Sequence, residues 1–586
     1  MGGVTGRYFR EFGVTISVAV LMSGIFSLTV TPMACAWLLR HQPSRARGRL
    51  YQWSERFFDR VNDTYARWLS TVLQYQRLTL VITLATVCLA GALYALVPKG
   101  FFPAVDTGLI DGFTQASPDI SFDAMSSRMQ RIGDIVMADP DVADVGYWIG
   151  ANPTISQGRV MVSLKPFGHR GSTAAQIADR LKRRAAGVEG ISLNLQPRQD
   201  LRIGGRITAS QYQYTLKDAD VPELDKWATV MLQKLKSLPQ LRDVTSDAQA
   251  SATTATLKID RDTASRLGIT TQAIDDTLYD AFGQRQVATL FTQLNQYHVV
   301  EEVDPRFQLS TEALKHLYLR SSISNQLVPL SLLATVVDGV SSPIITHQAL
   351  FPSVTLSFNL APGYALGDAV DAVRIAEGRA GKPSSVVAGF QGTAQAFQSS
   401  LKSQPWLIVA ALVAVYIVLG VLYESAIHPL TVISTLPSAG VGALVALILF
   451  GYDLSVMGLI GIFLLIGIVK KNAIMMIDFA LVAQREQGLS PREAIYQGAL
   501  LRFRPIMMTT MAALLGALPL ALGTGPGSEL RVPLGISIAG GLLVSQALTL
   551  FTTPVVYIWF ERMRQASRGA ERSQSEGVDL SASHTS

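Results

Sequence analysis

The stretch Leu454 to Val482 carries Leu465-Ile-Gly-Ile-Val-Lys-Lys-Asn-Ala-Ile-Met-Met-Ile-Asp478 at its centre, and its reading decides the fold. It is long enough to cross a hydrocarbon core of ~30 Å, which takes about 20 apolar helical residues. Its only charges are Lys470, Lys471 and Asp478. A lysine at the centre of a span costs at least ~2.5 to 3.5 kcal/mol on insertion scales, and Lys471 lies too deep to snorkel easily. Lys470 points ~100° away around the helix, so the two cannot readily share a partner. Lys471 therefore reads either as a cation whose pairing with a buried carboxylate is switched by protonation, or as half of a fixed ion pair. Lys470 reads as an interfacial lysine that snorkels. Asp478, seven residues on and on the face of Lys471, reads as the cap of a water-exposed crevice near the cytoplasmic end.

Six further apolar segments flank this one: Phe12 to Leu39, Leu78 to Pro98, Pro405 to Tyr423, Leu430 to Tyr452, Pro505 to Leu522 and Pro533 to Phe560. Composition agrees, with 49% hydrophobic and only 16% charged residues, where soluble domains carry about 25% charged. Disorder and a disulfide scaffold are excluded, since the two cysteines, Cys35 and Cys88, each lie in an apolar run. Phe12 to Leu39 is too long for a signal-peptide core. Between Arg40 and Arg77 stand eight arginines against Glu55, Asp59 and Asp63, which places that loop in the cytoplasm and Lys99 to Ser400 outside. The net charge of +6 is thus a topology signal, and no nucleic-acid partner is expected.

Lys99 to Ser400 is too long for a loop. It alternates strand and helix patterns: strand Leu109 to Gln115, helix Ser121 to Ala138, strand Val142 to Ile149, then strand Arg159 to Leu164, helix Thr173 to Ala186, strand Ser192 to Gln196. Two β-α-β units in succession predict a ferredoxin-like split sandwich. The pattern restarts at Tyr212 to Leu216, Pro222 to Leu238 and Arg242 to Ala248, and finishes far downstream with Val354 to Asn359, Leu366 to Gly381 and Ser385 to Phe390. A second sandwich interrupted by an insert is expected. The fold class is therefore an α-helical polytopic membrane protein with seven transmembrane helices and a large α+β insertion.

Nucleotide-binding and hydrolytic motifs (GxxxxGK[ST], HExxH, GxSxG) are absent, and the histidines never fall at ligand spacing. Neither an enzyme nor a bound cofactor or metal is expected. Asn472, Thr509 and Thr510 are candidates for hydrogen bonds across helices or along a water wire. The small residues around Ser438 to Ala443 and Gly535 to Gly541 read as close helix packing. Met507-Met508 could act as soft metal ligands, but with no Cys or His nearby it reads as packing. Tyr147 and Trp148, beside the Gly150 to Gly158 loop, read equally as a stacking surface or as core.

The string ending at Asp478, together with Leu501-Arg-Phe-Arg-Pro-Ile-Met-Met-Thr-Thr510, resembles the C-terminal half of resistance-nodulation-division (RND) multidrug efflux pumps of AcrB/AcrD/AcrF type. Leu422-Tyr-Glu-Ser425, Phe101-Phe-Pro103, Ile259-Asp260, Leu267-Gly268 and Phe390-Gln-Gly-Thr393 support it. Gln199-Asp-Leu-Arg-Ile-Gly-Gly-Arg206, Tyr212-Gln-Tyr214 and Val303-Asp-Pro-Arg306 are similar to the heteromeric MdtB/MdtC branch, on its MdtC side. The resemblance implies a membrane helix at 1–40 (family span 6), a cytoplasmic basic segment at 41–77 and a membrane helix at 78–98 (span 7). It further implies a first porter subdomain at 99–196, a second at 197–244 plus 348–398, a docking subdomain at 245–347, spans 8 to 12 at 405–560 and a disordered tail at 563–586. It also implies proton-motive-force-driven efflux of drugs or other amphiphiles from the inner membrane, protons being the coupling ion. Lys471, Thr509 and Arg502 match the relay positions; Gly146, Trp148 and Met161, with a switch loop containing Gly150, Asn152 and Gly158, match substrate-contact positions. Implied partners are a paralogous or identical RND subunit in a trimer, a periplasmic membrane-fusion adaptor, an outer-membrane channel and membrane lipids. The relay carboxylates belong to the family's N-terminal half, so this sequence is expected to be a C-terminal portion. The alternative is a truncated, non-pumping scaffold that assembles with RND partners.

Overall fold

A computed structural model describes the backbone of all residues except 1–2, 39–48, 151–153, 202, 249–251, 343 and 583–586, and no side chains at 3–5, 50–51 and 566–582. Helix α1 (Gly3–Leu38) is followed by the amphipathic α2 (Arg49–Gln74) and by α3 (Gln76–Leu96). Tyr65, Leu69 and Leu73, four residues apart on α2, are its buried stripe.

The first sandwich comprises β1 (Leu109–Ala116), α4 (Phe122–Met137), β2 (Val142–Ile149), β3 (Gln157–Leu164), α5 (Ala174–Ala185) and β4 (Ile191–Pro197). Its strands lie in the order β2-β3-β1-β4, all antiparallel, as a split β-α-β sandwich requires. Alternate strand residues such as Ile110, Val160, Val162 and Leu195 meet Met125, Met129, Ile132, Ile177 and Leu181 of the two helices. The buried Asp139 fixes α5 from its side, accepting from Arg180 at 2.6 and 2.8 Å and from Arg184 at 3.1 Å.

The second sandwich begins with β5 (Tyr212–Lys217), α6 (Val221–Lys236) and β6 (Leu241–Ser246). The insert then runs through β7 (Ala252–Ile259), α7 (Arg261–Arg266), α8 (Thr271–Phe282), β8 (Arg285–Phe291), β9 (Gln296–Glu301), β10 (Tyr318–Arg320), β11 (Leu327–Pro329), α9 (Leu330–Leu333), β12 (Ala334–Ser341) and β13 (His347–Gln348). β14 (Phe351–Leu360), α10 (Leu366–Ala380) and β15 (Val387–Gln391) complete the sheet, in which β6-β14-β5-β15 repeats the first sandwich's order. The insert leaves and returns on one antiparallel ribbon, β7 against β12, with Ala252 opposite Ser341.

The remaining chain is helical: α11 (Gly392–Tyr423), α12 (His428–Ile433), α13 (Leu436–Leu449), α14 (Val456–Gln487), α15 (Pro491–Ala521) and α16 (Ser528–Ala582). Among the described residues, seven helical stretches are long and apolar enough to cross a membrane, α12 and α13 counting as one. Several boundaries differ from the sequence expectation. α11 starts at Gly392 and carries Pro405 inside, so no break separates the second sandwich from the span below it. α15 starts at Pro491 under a Ser490/Glu493 capping box, with Pro505 inside the helix. The apolar runs opening at Pro405 and Pro505 mark where charge leaves each helix and not where the helix begins; each proline sits in a helix already nucleated upstream. Beyond Arg562, where disorder is expected, α16 continues to Ala582. That tail lacks an apolar face, but it holds good helix formers and extends an existing helix, which costs no new nucleation.

α16 packs on α13, α14 and α15, and small residues let it approach α13. A Cβ on Gly540 would collide with Ala446 and the Gly442 carbonyl, and one on Gly442 with the Gly540 carbonyl. Gly540→Val is expected to destabilise the bundle by about 1 to 3 kcal/mol, the usual cost of overpacking. A lowered thermal midpoint of the purified protein checks this; an unchanged midpoint refutes the close contact.

Candidate functional site

Three arrangements bear on function, and the first lies inside the bundle. Lys471 and Asp478 are both exposed on α14, and among the described residues Lys471 has no ion-pair partner. Its neighbour Asn472 turns inward. The Asn472 amide donates to Thr510 Oγ1 at 3.2 Å and to Gln546 Oε1 at 3.0 Å, and Thr510 donates to the same oxygen at 2.7 Å. Gln546 in turn donates to the Met507 sulfur at 3.3 Å. Asn472 and Thr510 thus join α14, α15 and α16 as expected of polar groups at depth. Gln546 completes the cluster and was missed by the sequence reading, though a lone glutamine inside an apolar span was the available signal. Thr509 does not join it: its hydroxyl donates to Ile506 O of its own helix at 3.1 Å. Arg502 is exposed, with its guanidinium 5.9 Å from the Phe479 ring on α14, beside Asp478.

The second arrangement joins α14 to the sandwiches. The linker after α3 lies parallel to the loop before α14. Leu454 N donates to Pro98 O at 2.8 Å, Gly100 N to Leu454 O at 3.3 Å, and Val456 N to Phe101 O at 2.8 Å. From the other side, Gly367 N in the first turn of α10 donates to Lys99 O at 2.9 Å. The Asp453 carboxylate packs against Gly100, where any Cβ would collide with it. Burial pushes the Asp453 carboxyl above the usual range, and the negative Asp368 nearby adds to the effect.

The third arrangement is a face of the first sheet. Gly146 pairs with Met161 and Trp148 with Arg159 across β2 and β3, so these four side-chain positions share one side. Arg159 stacks over Phe113 of β1 at 5.0 Å. Trp148 is 43% and Met161 39% exposed, and the space above Gly146 is open. Tyr147 points to the other side, against Gly133 of α4. Gly150 turns the chain at φ +83° and donates to Gln157 O at 2.9 Å. Gly158 is not in the loop: it lies in β3 and faces the core, because Thr114, Met129 and the Trp148 carbonyl leave no room for a Cβ. Asn152 lies outside the described residues.

A stack of membrane-length helices, two split sandwiches tied to it by backbone hydrogen bonds, and a mid-span lysine pair define a membrane transporter of multi-pass architecture. The family model described as the AcrB/AcrD/AcrF family matches residues 1–561, and the chain belongs to that family of RND efflux transporters. A solved structure titled as a heavy metal efflux pump, crystal form II, has the same fold, with a TM-score of 0.76 at 24% identity. The match covers 86% of this chain and 52% of that one, so the chain spans about half the length of that pump.

The raised Asp453 carboxyl gives a signed pH dependence. Its unfavourable charged form opposes folding once pH rises past the ordinary carboxylate range, and the penalty vanishes in acid where Asp453 is protonated in both states. Asp453→Asn is therefore expected to raise the thermal midpoint at pH 7.5 and to have little effect about one unit or more below the ordinary carboxylate value of 3.8. A difference independent of pH refutes the assignment.

Proposed function

We propose that this chain acts as the C-terminal half of a proton-driven RND efflux subunit, a proton/substrate antiporter that exports drugs or other amphiphiles from the inner membrane of a Gram-negative cell. The observation carrying this reading is Lys471, unpaired on the one helix whose outer end is hydrogen-bonded to the linker of both sandwiches. An uncompensated cation at that depth calls for a carboxylate on a facing span. Protonation of that carboxylate releases Lys471 and lets α14 shift. The loop Tyr452 to Val456, the linker Pro98 to Phe101 and the first turn of α10 then move as one hydrogen-bonded unit. Arg502 serves the cytoplasmic mouth beside Asp478, and Thr509 gives up its local bond to carry a proton or water.

Substrate meets the exposed face of Gly146, Trp148 and Met161, edged by the turn at Gly150. An indole, a thioether and an Arg159-capped Phe113 suit a flat, apolar, weakly charged amphiphile. The methionines give less support to a metal cargo, although a heavy metal pump shares the fold: Met125 and Met129 are packed in the first sandwich's core and Met231 in the second's. In this reading the protein belongs to the MdtC branch, works in a trimer with a paralogous or identical subunit, and joins a periplasmic adaptor and an outer-membrane channel. The rival reading is a non-pumping scaffold that assembles with such partners.

Lys471→Ala at the native locus is expected to abolish proton-driven efflux from inverted vesicles and the associated drug resistance while membrane abundance stays unchanged. Resistance retained at wild-type level refutes the relay role. Adaptor binding without proton-driven efflux by the wild-type protein supports the scaffold.

A further inference from the structure

The cytoplasmic ends of the spans hold a buried histidine that the relay does not use. His428 opens α12 and is only 1% exposed. α12 packs against α11, α14 and α16, and each of these brings a titratable or charged group to the ring. Tyr423, at the end of α11, meets it edge-on at 6.2 Å, and Tyr557 of α16 stacks on it at 5.9 Å. Glu561 and Arg564, further along α16, and Arg485 of α14 set the charge around it.

Polar groups here outnumber their partners. Among the described residues, the buried hydroxyls of Tyr423, Thr431, Thr553 and Tyr557 have no hydrogen-bond partner. Thr431 follows His428 by about one turn of α12, and Thr553 precedes Tyr557 by about one turn of α16. Buried hydroxyls that the protein leaves unmet are the groups that hold internal water. The Tyr423 hydroxyl lies within reach of the Asp478 charge, which stands ~10 Å from Lys471 toward the cytoplasm, on the same face of α14. At the other end, Nη1 of Arg564 lies 3.4 Å from His428 Nε2 and 3.5 Å from both Glu561 oxygens. A guanidinium only donates, so Nε2 is the bare nitrogen and the neutral ring carries its proton on Nδ1. Asp478, Tyr423, His428 and Glu561 thus form one file from the face of Lys471 to the cytoplasm, and files of Asp, Glu and His inside a membrane mark proton paths.

We propose that His428 is the proton-transfer residue through which the coupling proton leaves for the cytoplasm, taking it from Asp478 by way of the Tyr423 hydroxyl and giving it to Glu561. This rests on the proton-driven reading above and adds the exit to it. A proton handed to Asp478 passes to the Tyr423 oxygen while that hydroxyl gives its own proton to Nδ1 of His428, through hydrogen-bonded water where the groups do not touch. The imidazolium then gives its Nε2 proton to Glu561, which releases it to the cytoplasm. The carboxylates and the phenol end as they began, and the ring ends with Nε2 bare against Arg564, the arrangement seen. Return of the ring proton to Nε2 resets the cycle.

Uptake of Nile red, a flat apolar dye, is followed in inverted vesicles bearing the pump at native abundance and driven by an imposed pH difference. His428→Gln keeps a polar side chain of similar size that carries no proton, and is expected to slow gradient-driven uptake about tenfold or more. At a constant pH difference the wild-type rate should show an inflection near the ordinary histidine value of ~6.5 on the cytoplasmic face, and the variant none. Tyr423→Phe removes a hydroxyl that bonds to nothing in the fold, so a packing role predicts no change, whereas the path predicts a comparable loss at unchanged membrane abundance. Wild-type uptake that is lost in Lys471→Ala but unchanged in both His428→Gln and Tyr423→Phe overturns the exit path and leaves the relay reading standing. Wild-type uptake indifferent to the pH difference overturns the relay reading and the exit path with it.

Discussion

Backbone hydrogen bonds between the linker Pro98 to Phe101 and the loop Leu454 to Val456 are the constraint on which the rest of the molecule depends. They are made by main-chain groups on both sides, so they specify position without depending on side-chain identity. Each such bond contributes about 0.5 to 1.5 kcal/mol net, yet leaving its groups buried and unmet costs more. The linker must therefore follow the loop. Because Gly367 of α10 binds the same linker from the opposite side, both sandwiches are referenced to the outer end of α14. Phe101 seals the junction, packed in T-shaped fashion on Phe102 and Phe397, the latter in the first turns of α11.

Within the membrane the distribution of polar groups is economical. Asn472, Thr510 and Gln546 satisfy one another where three helices meet, which fixes the rotation of α14 about its axis. That rotation turns the preceding residue, Lys471, outward. Close approach at Gly442 and Gly540 holds α16 against α13, so α14 is seated against a firm backing. The bundle's hydrogen bonds thus go to orientation, and among the described residues Lys471 makes no ion pair.

Much of this was legible in the sequence because burial imposes period. Val142 to Ile149 alternates and is the strand of that range; Leu366 to Gly381 has helical spacing and is the helix Leu366–Ala380. The interrupted second sandwich was legible because its last β-α-β unit repeats the pattern of its first. Helix starts were less so, since the apolar runs open at Pro405 and Pro505 while the helices begin upstream, in turns held by packing and a capping box. Gly146, Trp148 and Met161 share a face because of strand register, which local pattern does not give. Gly158 illustrates the opposite case: a glycine beside a loop reads as flexibility, whereas its small size is what lets two strands and a helix close over it.

The ribbon of β7 and β12 has a consequence for the insert's independence. Entry at Ala252 and exit at Ser341 are direct neighbours, so nearly ninety residues hang from the second sandwich by a single two-stranded stem. Its two ends are close enough to be closed by a short turn. The insert is in effect a removable cartridge, joined to the sheet beneath it through one pair of facing residues.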